Sequence, residues 1–204
     1  MSLRIGYGFD SHTFKAGVPL VIGGMRLEHA EGLAGHSDGD VLLHAVTDAL
    51  LGAVSAGDIG TFFPPSDSRW KGAASSLFLR TALEEIHTAG YRIVNVDTVL
   101  VMAQPKIVPI AGELRQSLAE LLGVKAGDVG IKAKTPEGLN QDHVAVAHAT
   151  VLLESLDGDG ADKVLAATAD VDEVNEVVES LVIGVRDTSA LGRRVPTFDT
   201  DDLT

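Results

Sequence analysis

Residues 4–12 read Arg4-Ile5-Gly6-Tyr7-Gly8-Phe9-Asp10-Ser11-His12, and residues 36–53 read HSDGDVLLHAVTDALLGA. Residues 3–10 read as a glycine-punctuated strand. Side chains alternate across a strand, so Asp10 and His12 share a face. In the second stretch Val41, Leu42, Ala45, Val46, Ala49, Leu50 and Val54 recur at helical spacing. Asp38 or Asp40 is placed to cap the first turn, and His44 lies one turn in. Two imidazoles and a carboxylate on a rigid strand and a rigid helix suit zinc with one coordination position left open. Spacing alone does not bring His44 to the pair, and a lone His or Asp beside a core is more often a structural hydrogen-bonding group.

Working outward, Val18 to Ile22 and Met25 to Leu27 form a short hairpin about Gly23-Gly24, and residues 33–39 a loop. A second loop, rich in Gly, Pro, Asp and Ser, spans 57–72. A helix over 75–89 buries Leu77, Phe78, Ala82, Leu83 and Ile86, and Gly90 ends it. A strand over 91–102, a helix over 108–122 and strands over 129–134 and 144–153 complete the set. This order predicts an α+β fold, a single domain over 1–155 in which a mixed sheet packs on helices. Residues 156–204 form an acidic C-terminal extension with 12 Asp/Glu against 4 Lys/Arg, a linker at 157–160 and a helix expected near 171–183.

The composition narrows the function. The chain has 204 residues, 45% of them hydrophobic and only 4% aromatic, so its core is built from Val, Leu, Ile and Ala. It has no cysteine, which excludes disulfides and thiolate metal sites. A net charge of −13 argues against nucleic-acid binding. No apolar run approaches the roughly 20 residues that span a bilayer, and the opening lacks a secretion or transit pattern. No membrane association and a cytoplasmic location are expected.

Three loops carry candidate chemistry. His36-Ser37-Asp38-Gly39-Asp40 places polar residues at a helix N-terminus, where free N–H groups favour an anion. Asp58-Ile59-Gly60 and Phe63-Pro64-Pro65-Ser66-Asp67 have the composition of turns as much as of a binding loop. Lys132-Ala133-Lys134-Thr135-Pro136-Glu137 follows a strand and suits a phosphorylated ligand or an exposed edge. His29 and His87 read as surface groups, and His143 and His148 as structural ones.

Taken in order, RIGYGFDSH, GGMRL, AGHSDGDVLLHAVTDALLGA, GDIGTFFPPSD followed by Lys71-Gly72, NVDTVLVMAQPK and IKAKTPEGL resemble the 2-C-methyl-D-erythritol 2,4-cyclodiphosphate synthase family of non-mevalonate isoprenoid (terpenoid) biosynthesis. The resemblance covers residues 3–155; HSDGDVLLHA with an upstream GFDSH is its most specific part. It implies a homotrimeric lyase with active sites between subunits. Its reaction converts 4-CDP-2-C-methyl-D-erythritol 2-phosphate to the 2,4-cyclodiphosphate and releases CMP. By the same resemblance Asp10, His12 and His44 hold Zn2+, Glu137 holds a second divalent ion (Mg2+ or Mn2+), and His36 and Thr135 stabilise the transition state. Substrate contacts are implied at Asp10, His12, His36 and Ser37. Asp58, Ile59 and Gly60 match the methylerythritol segment, and Phe63, Pro64, Pro65, Ser66 and Asp67 a substrate loop. Ala103, Gln104, Pro105 and Lys106, with Lys134, Thr135, Pro136 and Glu137, match the nucleotide and phosphate contacts. No heptad or exposed stripe read from residues 1–155 shows the trimer, which rests on the resemblance.

Two departures stand out. Gln104 and Pro105 are adjacent, where the family commonly has a residue between them. After Glu137 the family's Gly-Phe-Thr-Gly-Arg run has no counterpart, so weaker or differently organised substrate binding is expected, with Lys134 supplying part of the lost charge. Two other readings stay open: a zinc phosphodiesterase acting on another nucleotide diphosphate, and a non-catalytic binder or sensor of pathway intermediates.

Overall fold

The computed structural model describes residues 1–138 and 142–156. The expected linker and the helix near 171–183 lie outside them. Strand β1 (Leu3–Ala16) is followed by a small hairpin, β2 (Leu20–Ile22) and β3 (Met25–Leu27), and by β4 (Glu31–Leu33). Helix α1 (Val41–Ala53) and the single turn α2 (Ile59–Phe62) precede α3 (Ser75–Thr88) and β5 (Tyr91–Val101). Helix α4 (Ala111–Leu122), β6 (Val129–Lys134) and β7 (Val144–Ser155) complete the order. The main sheet is five-stranded, β4-β1-β7-β5-β6; only β5 and β6 pair in parallel. This is the mixed sheet and α+β class expected from sequence.

The differences from the sequence reading are local. Strand β1 continues to Ala16 because residues 3–13 pair along β7 and 14–16 pair with β4. Strand β4 is too short and too glycine-rich to announce itself. The 57–72 loop contains α2 and a 3-10 turn, Ser68–Trp70, each with its cap: Asp58 accepts from the Thr61 amide and Asp67 from the Arg69 amide. Residues 108–110 form a 3-10 turn, so α4 itself begins at Ala111.

Helix α1 sits at the centre. It packs on β1, β7 and α3, and nearly its whole circumference is buried, including Leu42, Val46, Ala49 and Leu50. The close approach to β1 depends on glycine. A Cβ on Gly6 would fall 1.8 Å from the Ala49 carbonyl oxygen, and one on Gly8 1.9 Å from that of Ala45. With glycines turned to the core, the bulky residues of β1 face the other way. Leu3, Ile5, Tyr7 and Phe9 are between 50% and 72% exposed on the sheet's outer face. This apolar stripe was not apparent in the sequence, since its period-2 pattern looks like an ordinary buried strand.

The same parity decides the site. Asp10 and His12 share the face of Gly6 and Gly8, and so point to α1 and His44.

Candidate metal centre

Asp40 builds the helix start. Its carboxylate accepts from the amides of Leu42 and Leu43, capping α1, and from those of Gly23 (2.9 Å) and Gly24 (2.7 Å) in the β2–β3 turn. One buried side chain therefore ties hairpin to helix and fixes His44 one turn beyond.

The three expected ligands converge. His44 Nδ1 lies 2.9 Å from Asp10 Oδ2, His12 Nε2 lies 2.9 Å from the same oxygen, and the two nitrogens are 3.1 Å apart. Tetrahedral zinc with bonds near 2.0–2.1 Å spaces its ligand atoms about 3.3 Å apart. The observed triangle needs only a few tenths of an ångström of expansion to accept it. Among the described residues this is the group of three metal-type side chains with donor atoms so gathered. Burial disfavours the Asp10 carboxylate, but hydrogen bonds and charge attraction from His12 and His44 outweigh it and hold the carboxyl well below its usual range. Burial likewise opposes charge on His12, and its hydrogen bond to Asp10 overrides this and raises its pKa. The donor set is thus anionic oxygen plus two ring nitrogens, a set that draws a divalent cation.

The surrounding loops are tied to this centre. His36 Nε2 donates to the Asp67 carbonyl at 3.1 Å, fastening the 63–67 loop. Phe63, Trp70 and Phe78 stack beside it, and Phe78 also borders the His44 ring. Ser37 Oγ lies 3.0 Å from His44 Nε2. Asp48, one turn beyond His44 on α1, accepts from the Ile59 amide at 2.8 Å and so holds the Asp58-Ile59-Gly60 segment. The Asp58 carboxyl is held below its usual range by the Thr61 hydroxyl and amide. Pro64, Pro65 and Ser66 lie in the loop between Phe63 and Asp67, the latter two exposed.

Most of the residues expected from the resemblance to contact nucleotide and phosphates lie together in a second feature. A cavity of about 610 Å³ is lined by Ala103, Gln104, Lys106, Thr135, Pro136 and Glu137, and also by Phe14, His29, Glu31 and Asp142. The Gln104–Pro105 peptide is cis. Thr135 donates to Glu137, whose φ of 51° is a left-handed conformation that favours glycine. Lys134 ends β6 exposed and does not line the cavity. His29, read from sequence as a surface group, instead forms part of the wall, with its ring 5.5 Å from that of Phe14. Nothing in the spacing signalled Phe14, His29, Glu31 or Asp142; pairing of β4 with β1 brings the first three together. Within one chain the triad and the cavity are separate, although Phe14 follows Asp10 and His12 along the same face of β1.

An α+β domain that gathers Asp10, His12 and His44 and carries a separate polar-lined cavity is suited to a metal-assisted enzyme. The chain belongs to the YgbB family, whose model matches residues 3–154. The 2-C-methyl-D-erythritol 2,4-cyclodiphosphate synthase of Koribacter versatilis (strain Ellin345) is 62% identical over 152 residues, covering 74% of this chain and 98% of that protein. A solved structure of a 2C-methyl-D-erythritol-2,4-cyclodiphosphate synthase matches with TM-score 0.70 and 43% identity, over 74% of this chain and all of that one. A CDP-bound form of such a synthase matches with TM-score 0.70 and 41% identity, over 74% of this chain and 100% of the other.

Proposed function

We infer that this chain is a 2-C-methyl-D-erythritol 2,4-cyclodiphosphate synthase, an enzyme of non-mevalonate isoprenoid biosynthesis. The observation that carries the reading is the convergence of Asp10, His12 and His44 in a chain 62% identical to a protein of that name.

In the reaction, an oxygen of the 2-phosphate bonds to the phosphorus nearer the methylerythritol. The bond from that phosphorus to the bridging oxygen breaks, and the oxygen leaves with CMP. Phosphoryl transfer asks mainly for alignment and charge neutralisation, and pre-positioning of two groups can be worth roughly 7–11 kcal/mol. Zinc bound at Asp10, His12 and His44 would supply Lewis-acid stabilisation of a diphosphate oxygen. The residues of the chain do the rest. Asp58, Ile59 and Gly60 hold the methylerythritol, with Ser37 and the 63–67 loop closing over it. Ala103, Gln104 and Lys106 with Thr135, Pro136 and Glu137 receive the nucleotide and phosphates, with Pro105 and Lys134 at the margin of their cavity. His36 and Thr135 position the reacting groups and stabilise the transition state, and Glu137 would hold the second divalent ion, Mg2+ or Mn2+.

The active assembly in this reading is a homotrimer. The exposed Leu3, Ile5, Tyr7 and Phe9 stripe supports it, because a second copy would remove it from water. Separation of triad and cavity within one chain supports a site shared between subunits. Residues 1–155 make the catalytic domain and 156–204 an accessory extension, in a cytoplasmic protein. Among the described residues no helix is long and apolar enough to cross a membrane.

The test is mass-spectrometric product analysis with the cytidyl diphosphate substrate, with and without a zinc chelator. Cyclic diphosphate and CMP in equal amounts are expected, and the chelator abolishes both. Linear hydrolysis products would favour a phosphodiesterase, and binding without turnover a sensor.

A further inference from the structure

We propose that His29 is a further substrate-contacting residue, closing the nucleotide cavity from the β4 side and holding the nucleoside half of the substrate. The proposal rests on reading this chain as a cyclodiphosphate synthase whose nucleotide enters that cavity.

The cavity has two sides. The loops that follow β5 and β6 form one, with Gln104, Lys106, Thr135 and Glu137. Phe14, His29 and Glu31 form the other, gathered by the pairing of Phe14 with Leu33 and of Ala16 with Glu31. His29 lies just ahead of β4 and is anchored there. Its Nδ1 is 2.8 Å from the Glu31 carbonyl oxygen, and the Glu31 amide nitrogen is 3.3 Å from the same atom. The ring also packs on Phe14, with centroids 5.5 Å apart and planes tilted by 54°. In either tautomer Nδ1 is engaged by the Glu31 backbone, so Nε2 is the polar atom left over. Among the described residues Nε2 has no hydrogen-bond partner.

The other polar groups of the wall are less well prepared. Lys106 bonds to the Ala103 carbonyl at 3.1 Å, and Thr135 is bonded to Glu137. Gln104 and Lys106 are exposed side chains on long stems, which lose rotamer freedom when a ligand fixes them. The His29 ring is already fixed, so a contact to it costs little further ordering. Charge decides which part of the nucleotide it meets. Glu31 and Asp142 also line the cavity, and carboxylates repel phosphate. The nucleoside is neutral. An imidazole nitrogen accepts from a hydroxyl or amino group or donates to a carbonyl, and a cytosine nucleoside offers all three. Its flat base also suits the corner made by the Phe14 and His29 rings. The phosphates belong on the Glu137 side, where a divalent ion would offset their charge.

The experiment uses the full chain loaded with Zn2+ and Mg2+. Calorimetry measures CMP and CDP binding, with substrate turnover alongside, for wild type, His29→Ala and His29→Phe. Phenylalanine keeps a ring against Phe14 and removes both nitrogens. Loss of the hydrogen bond should weaken CMP and CDP by the same factor, about 3–10-fold, in both variants. The loss should fall on KM rather than kcat, the signature of a contact made equally before and during the reaction. Wild-type affinity for both nucleotides in either folded variant overturns the proposal. So does a loss for CDP that clearly exceeds the loss for CMP, which would put His29 on the phosphates. Unfolding of both variants makes His29 a structural residue and overturns it as well. A wild-type chain that binds neither nucleotide defeats the reading of the cavity itself, and the proposal with it.

Discussion

A Cβ on Gly8 would lie 1.9 Å from the carbonyl oxygen of Ala45, so strand β1 and helix α1 meet where no side chain fits. This contact brings Asp10 and His12, on the strand, within hydrogen-bond distance of His44, on the helix. The obstruction is backbone, which cannot swing aside as a flexible side chain would.

Gly8→Ala should therefore destabilise the protein by about 3 kcal/mol or more, at the upper end of overpacking costs. It should also weaken metal binding by pushing β1 from α1. Gly112→Ala, in α4 with nothing within 4 Å of its added carbon, should be neutral or stabilising by up to about 1 kcal/mol. Urea unfolding of the two variants measures both, and a similar loss at both positions would contradict the packing argument.

Removing a ligand has a different signature. His12→Ala leaves the fold largely intact but takes one of three gathered donors, so zinc affinity should fall by more than about 100-fold, beyond what loss of a supporting partner costs. Metal analysis after dialysis, paired with product formation, checks it. Full metal content with normal turnover would remove the triad from the reaction.

Phe9→Lys or Ile5→Lys places a charge in the exposed apolar stripe without touching the core. Each variant should keep its secondary structure and its zinc yet sediment as a monomer, and turnover should be lost with the assembly. A trimer persisting at micromolar concentration would locate the interface elsewhere.

His87 gives a pH-dependent outcome. Burial holds its pKa below the usual 6.5. The unfolded chain then binds more protons than the folded one between the folded value and 6.5, so stability rises with pH across that window. Its contribution is complete above 6.5 and is lost as the pH falls through the folded value. His87→Gln should flatten this part of the profile when unfolding free energies at pH 5.5 and 7.5 are compared. An unchanged slope would show that the ring is neutralised by something other than burial.

Much was legible before any coordinates. A cap at Asp38 or Asp40, the helix that carries His44 and the shared strand face of Asp10 and His12 follow from local rules of capping and periodicity, and the structure selects Asp40. The family resemblance supplied Thr135, Glu137 and the 103–106 segment, most of which do line one cavity. Strand β4 escaped notice because three residues, one of them glycine, carry no pattern of their own; their pairing partners, residues 14–16, are 15 to 19 positions away. His29 and Glu31 entered the cavity wall by that pairing.

The amino-acid order by itself determined most of the longer elements, the parity of β1 and the chemical kinds of donor available, since each depends on neighbours within a turn or two. Only the tertiary structure decided that His44 meets Asp10 and His12 and that the bulky face of β1 is left bare. Those outcomes depend on how closely one backbone can approach another. Gly6 and Gly8 permit that approach, and Ala45 and Ala49, some forty residues later, receive it.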